Sequence, residues 1–258
     1  MKVRTLRPPG EPVHGTLFLP TARSGNSAVV VIGGSTGREP TFIAEALAKE
    51  GLPALSVAYF GQPGLPPTLE GIPLEYFRRA FQYLGDTAGE PRPRLVALGV
   101  SRGSEAALLC GVHFPDEVNG VVASVPGNVV LQAWGGRGPA WLLSGEPLPF
   151  TRRYGPEATD PASIIAVERI RGPILLVSAG QDRIWPSVPM ARAIAQRLRA
   201  HGHDYPDEAV EFPEAGHSLG FLVPNLPVDP GPEFDPLPSR QARAKAWPKV
   251  IEFIARVS

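Results

Sequence analysis

The sequence predicts an α/β fold, with a mostly parallel central sheet and helices on both faces, and three observations carry that prediction. Short, continuously apolar runs rich in β-branched residues recur along the chain, among them "AVVVI" (28–32), "ALSVAY" (54–59), "RLVALGV" (94–100) and "PILLVSA" (173–179). Runs of this kind suit strands buried on both faces. Segments with helical apolar spacing alternate with them, which is the rhythm of a parallel sheet with crossover helices. The chain has 258 residues, 43% of them hydrophobic, which suits one domain with a sizeable core.

The elements follow in order. Residues 13–19 ("VHGTLFL") read as a strand paired with 2–7 in a hairpin, so that 1–27 supply the N-terminal strands. After strand 28–32 comes a helix over 41–50, closed by Gly51, and then strand 54–59. Pro73 opens the next helix, whose apolar face is Leu74, Phe77, Phe81 and Leu84, with Arg78, Arg79 and Gln82 opposite. Strand 94–100, helix 102–113 and strand 117–125 continue the alternation. It breaks over about 127–170, predicted to be a cap inserted over the carboxyl edge of the sheet, where such sheets place their ligands. Strand 173–179, helix 187–200, strand 208–212 and a helix near 239–256 complete the chain. The 31 prolines and 28 glycines punctuate apolar runs and thicken in 135–161 and 224–238 as irregular excursions.

Lys and Arg total 25 and balance 25 Asp and Glu, so no whole-molecule field favours nucleic acid or an anionic membrane. Any anionic ligand must be held by local arginines. A single cysteine, Cys110, permits no disulfide within the chain, and no apolar run approaches membrane-spanning length. The expectation is a cytoplasmic protein with no cofactor and no metal, acting on a small molecule. Its oligomeric state is not legible.

Two stretches match G-x-S-x-G: "GVSRG" (99–103) and "GGSTG" (33–37). A nucleophilic serine of this type stands on a strained turn between a strand and a helix that begins at once. Ser101 meets that demand, because small residues at Gly103, Ser104, Ala106 and Ala107 let a helix start and pack closely. After Ser35 comes "TGREP", and Pro40 forces Glu39 out of helical geometry. The second stretch is therefore predicted to be a glycine-rich loop.

A serine nucleophile needs a general base and an acid to orient it. Of five histidines, His217 in "FPEAGHSLGF" sits just after the last core strand, where it can fold back over Ser101. His14, His113, His201 and His203 occupy positions that suit solvated or capping roles. Asp182 in "LVSAGQDRIWPS" stands at the carboxyl end of its strand, whereas Glu168 precedes that strand and falls at the wrong edge. The predicted set is Ser101, His217 and Asp182. The predicted oxyanion donors are the backbone N–H groups of Arg102, Ser35 and Thr36.

These residues carry a resemblance. "GGSTG", "ALSVAYFG", "LPPTLEGIPLEYFRRAFQYL", "LGVSRGSEAALL", "IIAVERIRGPILLVSAGQDRIWPS", "RLRAHG" and "FPEAGHSLGF" resemble the α/β-hydrolase domain of acyl-CoA thioesterases and bile acid-CoA:amino acid N-acyltransferases. The likeness runs from Ala28 to the C-terminus. It implies thioesterase-type acyl transfer by Ser101, Asp182 and His217. Family members usually carry lysine where Arg102 stands, and amino-acid-conjugating members carry a cysteine nucleophile, so Ser101 favours hydrolysis. A β-sandwich domain precedes this domain in longer members.

If the substrate is an acyl-CoA, its phosphates need arginines, and Arg38, Arg102, Arg137, Arg152 and Arg153 are the candidates near the expected mouth. Gly34 is expected against the substrate, and Trp134, Trp141 and Leu142 of the cap are expected to line an acyl pocket. Three other readings stay open: an oxygen-ester hydrolase like dienelactone hydrolase, an acyl-CoA:amino acid N-acyltransferase, and a non-catalytic receptor on the same fold.

Overall fold

The computed structural model describes residues 3–6, 13–154, 160–228, 231 and 233–257. Positions 2 and 7 of the predicted hairpin and 155–159 of the predicted cap lie outside them. The strands are β1 (Val3–Leu6), β2 (His14–Pro20), β3 (Ser27–Ile32), β4 (Ala54–Ala58), β5 (Ile72–Pro73), β6 (Arg94–Val100), β7 (Gly120–Ser124), β8 (Trp141–Leu143), β9 (Glu146–Pro147), β10 (Ile174–Ala179) and β11 (Glu208–Phe212). The helices are α1 (Thr41–Lys49), α2 (Leu74–Thr87), α3 (Arg102–His113), α4 (Ser187–Ala200) and α5 (Leu237–Arg256).

Eight strands form the central sheet in the order β1-β2-β4-β3-β6-β7-β10-β11. From β4 to β11 every neighbouring pair is parallel, while β2 runs antiparallel to β4 and β1 antiparallel to β2. The period-two alternation of side chains divides each strand between two cores. Val30, Ile32, Leu95 and Ala97 face one side, packed under α2, α3 and α4. Val29, Val31, Val96 and Leu98 face the other, packed under α1 and α5. Helices on both faces follow directly from strands that are apolar at every position.

The apolar face read for α2 is buried as expected, with Arg78, Arg79 and Gln82 exposed. Helix α3 differs: every residue from Arg102 to Val112 is buried, so it has no solvent face. Its small residues allow this. A Cβ on Gly103 would come within 2.2 Å of the Ile32 carbonyl oxygen, and one on Gly99 within 2.1 Å of the Gly103 oxygen. Strand β7 starts at Gly120 rather than 117, because 114–119 form a turn in which Glu117 and Val118 donate to the Phe114 carbonyl.

The 127–170 excursion is partly ordered into strands of its own. β8 pairs with β9 and with β5, the short strand before α2, in a three-stranded sheet. Isolated bridges tie Leu69 to Trp134 and Leu131 to Thr151. Among the described residues no helix is long and apolar enough to cross a membrane.

Candidate active site

Four strand ends meet at the carboxyl edge of the sheet. Ser101 follows β6 immediately, residues 33–37 follow β3, Asp182 follows β10 and His217 follows β11. Pairing sets their depth, with Ile32 opposite Gly99 and Val100 opposite Ser124.

Ser101 occupies φ 56°, ψ −122°, a conformation that L residues rarely adopt, and it is the N-cap of α3. Its neighbours hold it there. Ser101 N–H donates to the Ser124 carbonyl at 3.0 Å, and its own carbonyl accepts from the Ser104 N–H and hydroxyl at 2.8 and 2.6 Å. The sharp reversal lifts the hydroxyl clear of the sheet, and the close passage of Gly99 and Gly103 makes that reversal possible.

Ser101 Oγ lies 3.0 Å from His217 Nε2. On the far side of the ring, Nδ1 lies 2.9 and 2.8 Å from the two Asp182 carboxylate oxygens. A carboxylate can only accept, so Nδ1 carries the proton and Nε2 presents its lone pair to the serine hydroxyl. The Asp182 side chain is 1% exposed. It also accepts the N–H groups of Ile184 at 3.0 Å and Trp185 at 3.3 Å, which fixes its orientation. Trp185 packs edge-on against the His217 ring at 5.9 Å, and its indole N–H donates to the Val125 carbonyl.

His217 begins a short 3-10 turn, His217–Phe221, rather than lying in a bare loop. That turn is clamped on both flanks from α5 and the chain before it. Gly216 N–H donates to Ser239 Oγ at 2.8 Å, and Ser218 Oγ donates to Asp235 at 2.8 Å. Asp235 forms a two-point ion pair with Arg243, whose guanidinium also reaches the Ser218 and Val223 carbonyls. Burial works against the Asp235 charge, but the hydrogen bonds from Arg243 and Ser218, with the nearby positive charges, hold its carboxyl below the usual range.

The GGSTG turn packs against the serine. A Cβ on Gly34 would lie 3.2 Å from Ser101 Cβ and 3.6 Å from Ser101 Oγ. Among the described residues, the N–H groups of Ser35, Thr36 and Arg102 donate to no protein acceptor. For Arg102 this follows from its place in the first turn of α3, where backbone donors have no helical partner.

Two expectations are corrected. The Arg102 guanidinium is not at the mouth: it is buried, donates to the Leu131 and Gln132 carbonyls at 3.1 Å, and faces Glu105. An arginine whose donors are spent on buried carbonyls holds no external phosphate. Trp141 lines no open pocket, because it is fully enclosed, packed edge-on against Phe77 and tilted against Tyr59, with its indole N–H on Glu105. Trp134 is 50% exposed, Leu142 is half-buried, and Arg38, Arg137, Arg152 and Arg153 are exposed.

Sequence reasoning missed Glu105. It is fully buried, accepts the Leu131 N–H at 2.9 Å and the Trp141 indole at 2.6 Å, and faces Arg102 at 3.2 Å. Burial pushes its carboxyl above the usual range, against the pull of Arg102 and the two donors. The signal was present: one acid in an otherwise small and apolar helix, three residues after Arg102. Cys110 is buried in the same helix, and burial pushes its thiol up, away from the thiolate that a nucleophilic cysteine needs. Among the described residues no group of three or more His, Cys, Asp or Glu side chains could hold a metal ion.

The sheet order, the strained turn at Ser101 and the helices on both faces define an α/β-hydrolase fold. A solved structure agrees: dienelactone hydrolase from Anabaena variabilis superposes with a TM-score of 0.59 at 17% identity, covering 100% of this chain and 99% of that one. A family profile described as "BAAT / Acyl-CoA thioester hydrolase C terminal" matches residues 150–230, a span that contains Asp182 and His217. Acyl-coenzyme A thioesterase 1 of Homo sapiens is 32% identical over 239 residues, covering 84% of this chain and 56% of its own length. Mitochondrial acyl-coenzyme A thioesterase 2 of Rattus norvegicus is 31% identical over 219 residues, covering 80% of this chain and 48% of its own. The match places residues 150–230 in the BAAT/acyl-CoA thioester hydrolase C-terminal family, and the chain as a whole is similar to acyl-CoA thioesterases. It spans about half the length of the curated relatives it matches.

Proposed function

We propose that this protein hydrolyses acyl thioesters, acyl-CoA in particular, through an acyl-enzyme on Ser101. The observation that carries the reading is the continuous hydrogen-bond chain from Ser101 Oγ through His217 to Asp182, beside three backbone N–H groups, those of Ser35, Thr36 and Arg102, that have no protein acceptor among the described residues.

His217 Nε2 takes the Ser101 proton as Oγ attacks the thioester carbonyl. Asp182 holds the imidazole tautomer and stabilises the imidazolium. The carbonyl oxygen becomes an oxyanion and receives the N–H groups of Arg102 and Ser35 or Thr36, a contribution of roughly a hundredfold or more per donor. The C–S bond then breaks, and His217 returns its proton to the leaving sulfur. Water attacks the acyl-enzyme, giving a proton to His217, which passes it to Ser101 Oγ as the free acid departs.

The names of the relatives supply the thioester and CoA part of this reading. Arg38, Arg137, Arg152 and Arg153 are the exposed cations assigned to the phosphates, and Gly34 and Trp134 the groups beside the acyl carbonyl and chain. The proposed arrangement is a single α/β-hydrolase domain, with 127–170 as its cap, working in the cytoplasm.

The test compares acyl-CoAs of graded chain length with p-nitrophenyl esters. Acyl-CoA turnover with release of free CoA is expected. Good ester turnover with every acyl-CoA refused would make the protein an oxygen-ester hydrolase instead, and a glycine or taurine conjugate formed from acyl-CoA would make it an acyltransferase.

A further inference from the structure

Tyr59 follows β4 directly and is 3% exposed. Its ring is held on three sides, by Phe60 at 5.1 Å, Phe77 at 5.2 Å and Trp141 at 5.9 Å between centroids. From that fixed ring the hydroxyl reaches the turn after β3. There it lies 2.8 Å from the Gly33 carbonyl oxygen and 3.2 Å from the Gly34 carbonyl oxygen. A phenol has one hydrogen, so the two carbonyls share it. Burial, helped by the nearby Glu105 carboxyl and opposed only by the Arg102 charge, pushes the hydroxyl well above the ordinary tyrosine range, and Tyr59 therefore remains a neutral donor.

The consequence lies on the other side of the peptide plane. In a planar trans peptide the C=O of Gly34 and the N–H of Ser35 point in opposite directions. Drawing the Gly34 oxygen towards the buried aromatic cluster turns the Ser35 N–H away from it. Gly34 itself lies against Ser101, with only 3.6 Å between its would-be Cβ and the serine Oγ. A backbone donor fixed beside a nucleophile needs no reorganisation when negative charge develops, which is the condition under which such donors are worth most.

We propose that Tyr59 is a positioning residue for the oxyanion pocket: its hydroxyl fixes the Gly33–Gly34–Ser35 turn so that the Ser35 N–H is aimed before the reaction begins. The proposal rests on the reading of Ser101 as nucleophile. It gives Tyr59 no contact with substrate.

Tyr59→Phe removes one oxygen and leaves the ring packing in place. Tyr76→Phe is the matched control, since the Tyr76 hydroxyl also donates to a backbone carbonyl, that of Ala58, and receives the His14 N–H, but does not touch the turn. The readout is the second-order rate at which a fluorophosphonate labels Ser101. This reaction builds charge on a phosphoryl oxygen in the same pocket and needs no particular thioester.

Tyr59→Phe is expected to slow labelling about tenfold or more, approaching the ~10²–10³ lost when a donor is removed outright. Its kcat on a thioester should fall by a similar factor while KM stays within about twofold, the pattern of an interaction made in the transition state. Tyr76→Phe should leave both rates within about twofold while losing comparable thermal stability. Labelling of Tyr59→Phe at the wild-type rate, or equal slowing in both variants, would overturn the positioning role alone. Failure of the wild-type protein to label at Ser101 would overturn the nucleophile as well.

Discussion

Glu105 accepts the indole N–H of Trp141 at 2.6 Å, across 36 residues of chain. That bond joins the first turns of the helix carrying the strained serine to a strand of the excursion. Together with Arg102, which holds the Leu131 and Gln132 carbonyls, it makes one buried polar knot beneath the site. Glu105→Ala should cost about 3–5 kcal/mol, because it leaves the Arg102 charge buried without its partner. Glu105→Gln also removes the counter-charge, but it keeps an acceptor for Leu131 and Trp141 and should cost less, about 2–3 kcal/mol. Urea unfolding of both variants checks the ordering.

Ser101→Ala should abolish turnover, whereas Ser35→Ala, which keeps the backbone N–H, should only weaken it. Asp182→Asn should fold normally and lower kcat by about 10³–10⁴, because an amide donating to Nδ1 drives the histidine proton onto Nε2. Steady-state kinetics with a thioester, alongside fluorophosphonate labelling, separates the three.

Gly34→Ala and Gly103→Ala should fail in different ways. A Cβ on Gly34 would meet Ser101 Cβ at 3.2 Å and the Val100 oxygen at 3.3 Å, a squeeze that should displace Ser101. Gly103→Ala drives its Cβ to 2.2 Å from the Ile32 oxygen and 2.4 Å from the Gly33 oxygen, both backbone atoms that cannot yield. The first variant should be folded with impaired kcat, and the second should not accumulate as folded protein. Soluble yield and circular dichroism distinguish them.

Acid should loosen the His217 turn through Asp235. Its carboxyl is held below the usual range in the fold, so it binds its proton more readily when unfolded. The stabilisation is therefore fully present above the unfolded value of about 4 and is lost as pH falls through the lower folded value. Asp235→Asn should be less stable than wild type near neutrality, with the gap narrowing as pH falls from about 5 to about 2. Thermal melts across that range measure it, and a gap independent of pH would contradict the assignment.

Much of the fold was legible because strand and helix periods differ, and apolar runs such as "AVVVI" admit few alternatives. α3 and α4 run over the predicted spans, 102–113 and 187–200. The residues of the candidate site were legible for a related reason. Ser101, Asp182 and His217 each follow a core strand, so placing the strands placed all three at one edge of the sheet.

What lay beyond the sequence were contacts between segments distant along the chain. Whether Arg102 faces solvent or the 131–132 carbonyls, and whether Trp141 lines a pocket or plugs the core, depends on where the 127–170 excursion settles. Its irregular composition carries no period from which to read that. Tyr59 was visible only as the end of an apolar strand. Its hydroxyl acquires a role because β4 and β3 are neighbours in the sheet, which brings it 2.8 Å from the Gly33 carbonyl. The sequence by itself determined the order of the central-sheet strands and their helices and the candidate residues at their ends, since local period and turn chemistry decide those. The tertiary structure alone decided which buried polar groups hold that edge in place, because a hydrogen bond is satisfied by whatever the fold brings within about 3 Å.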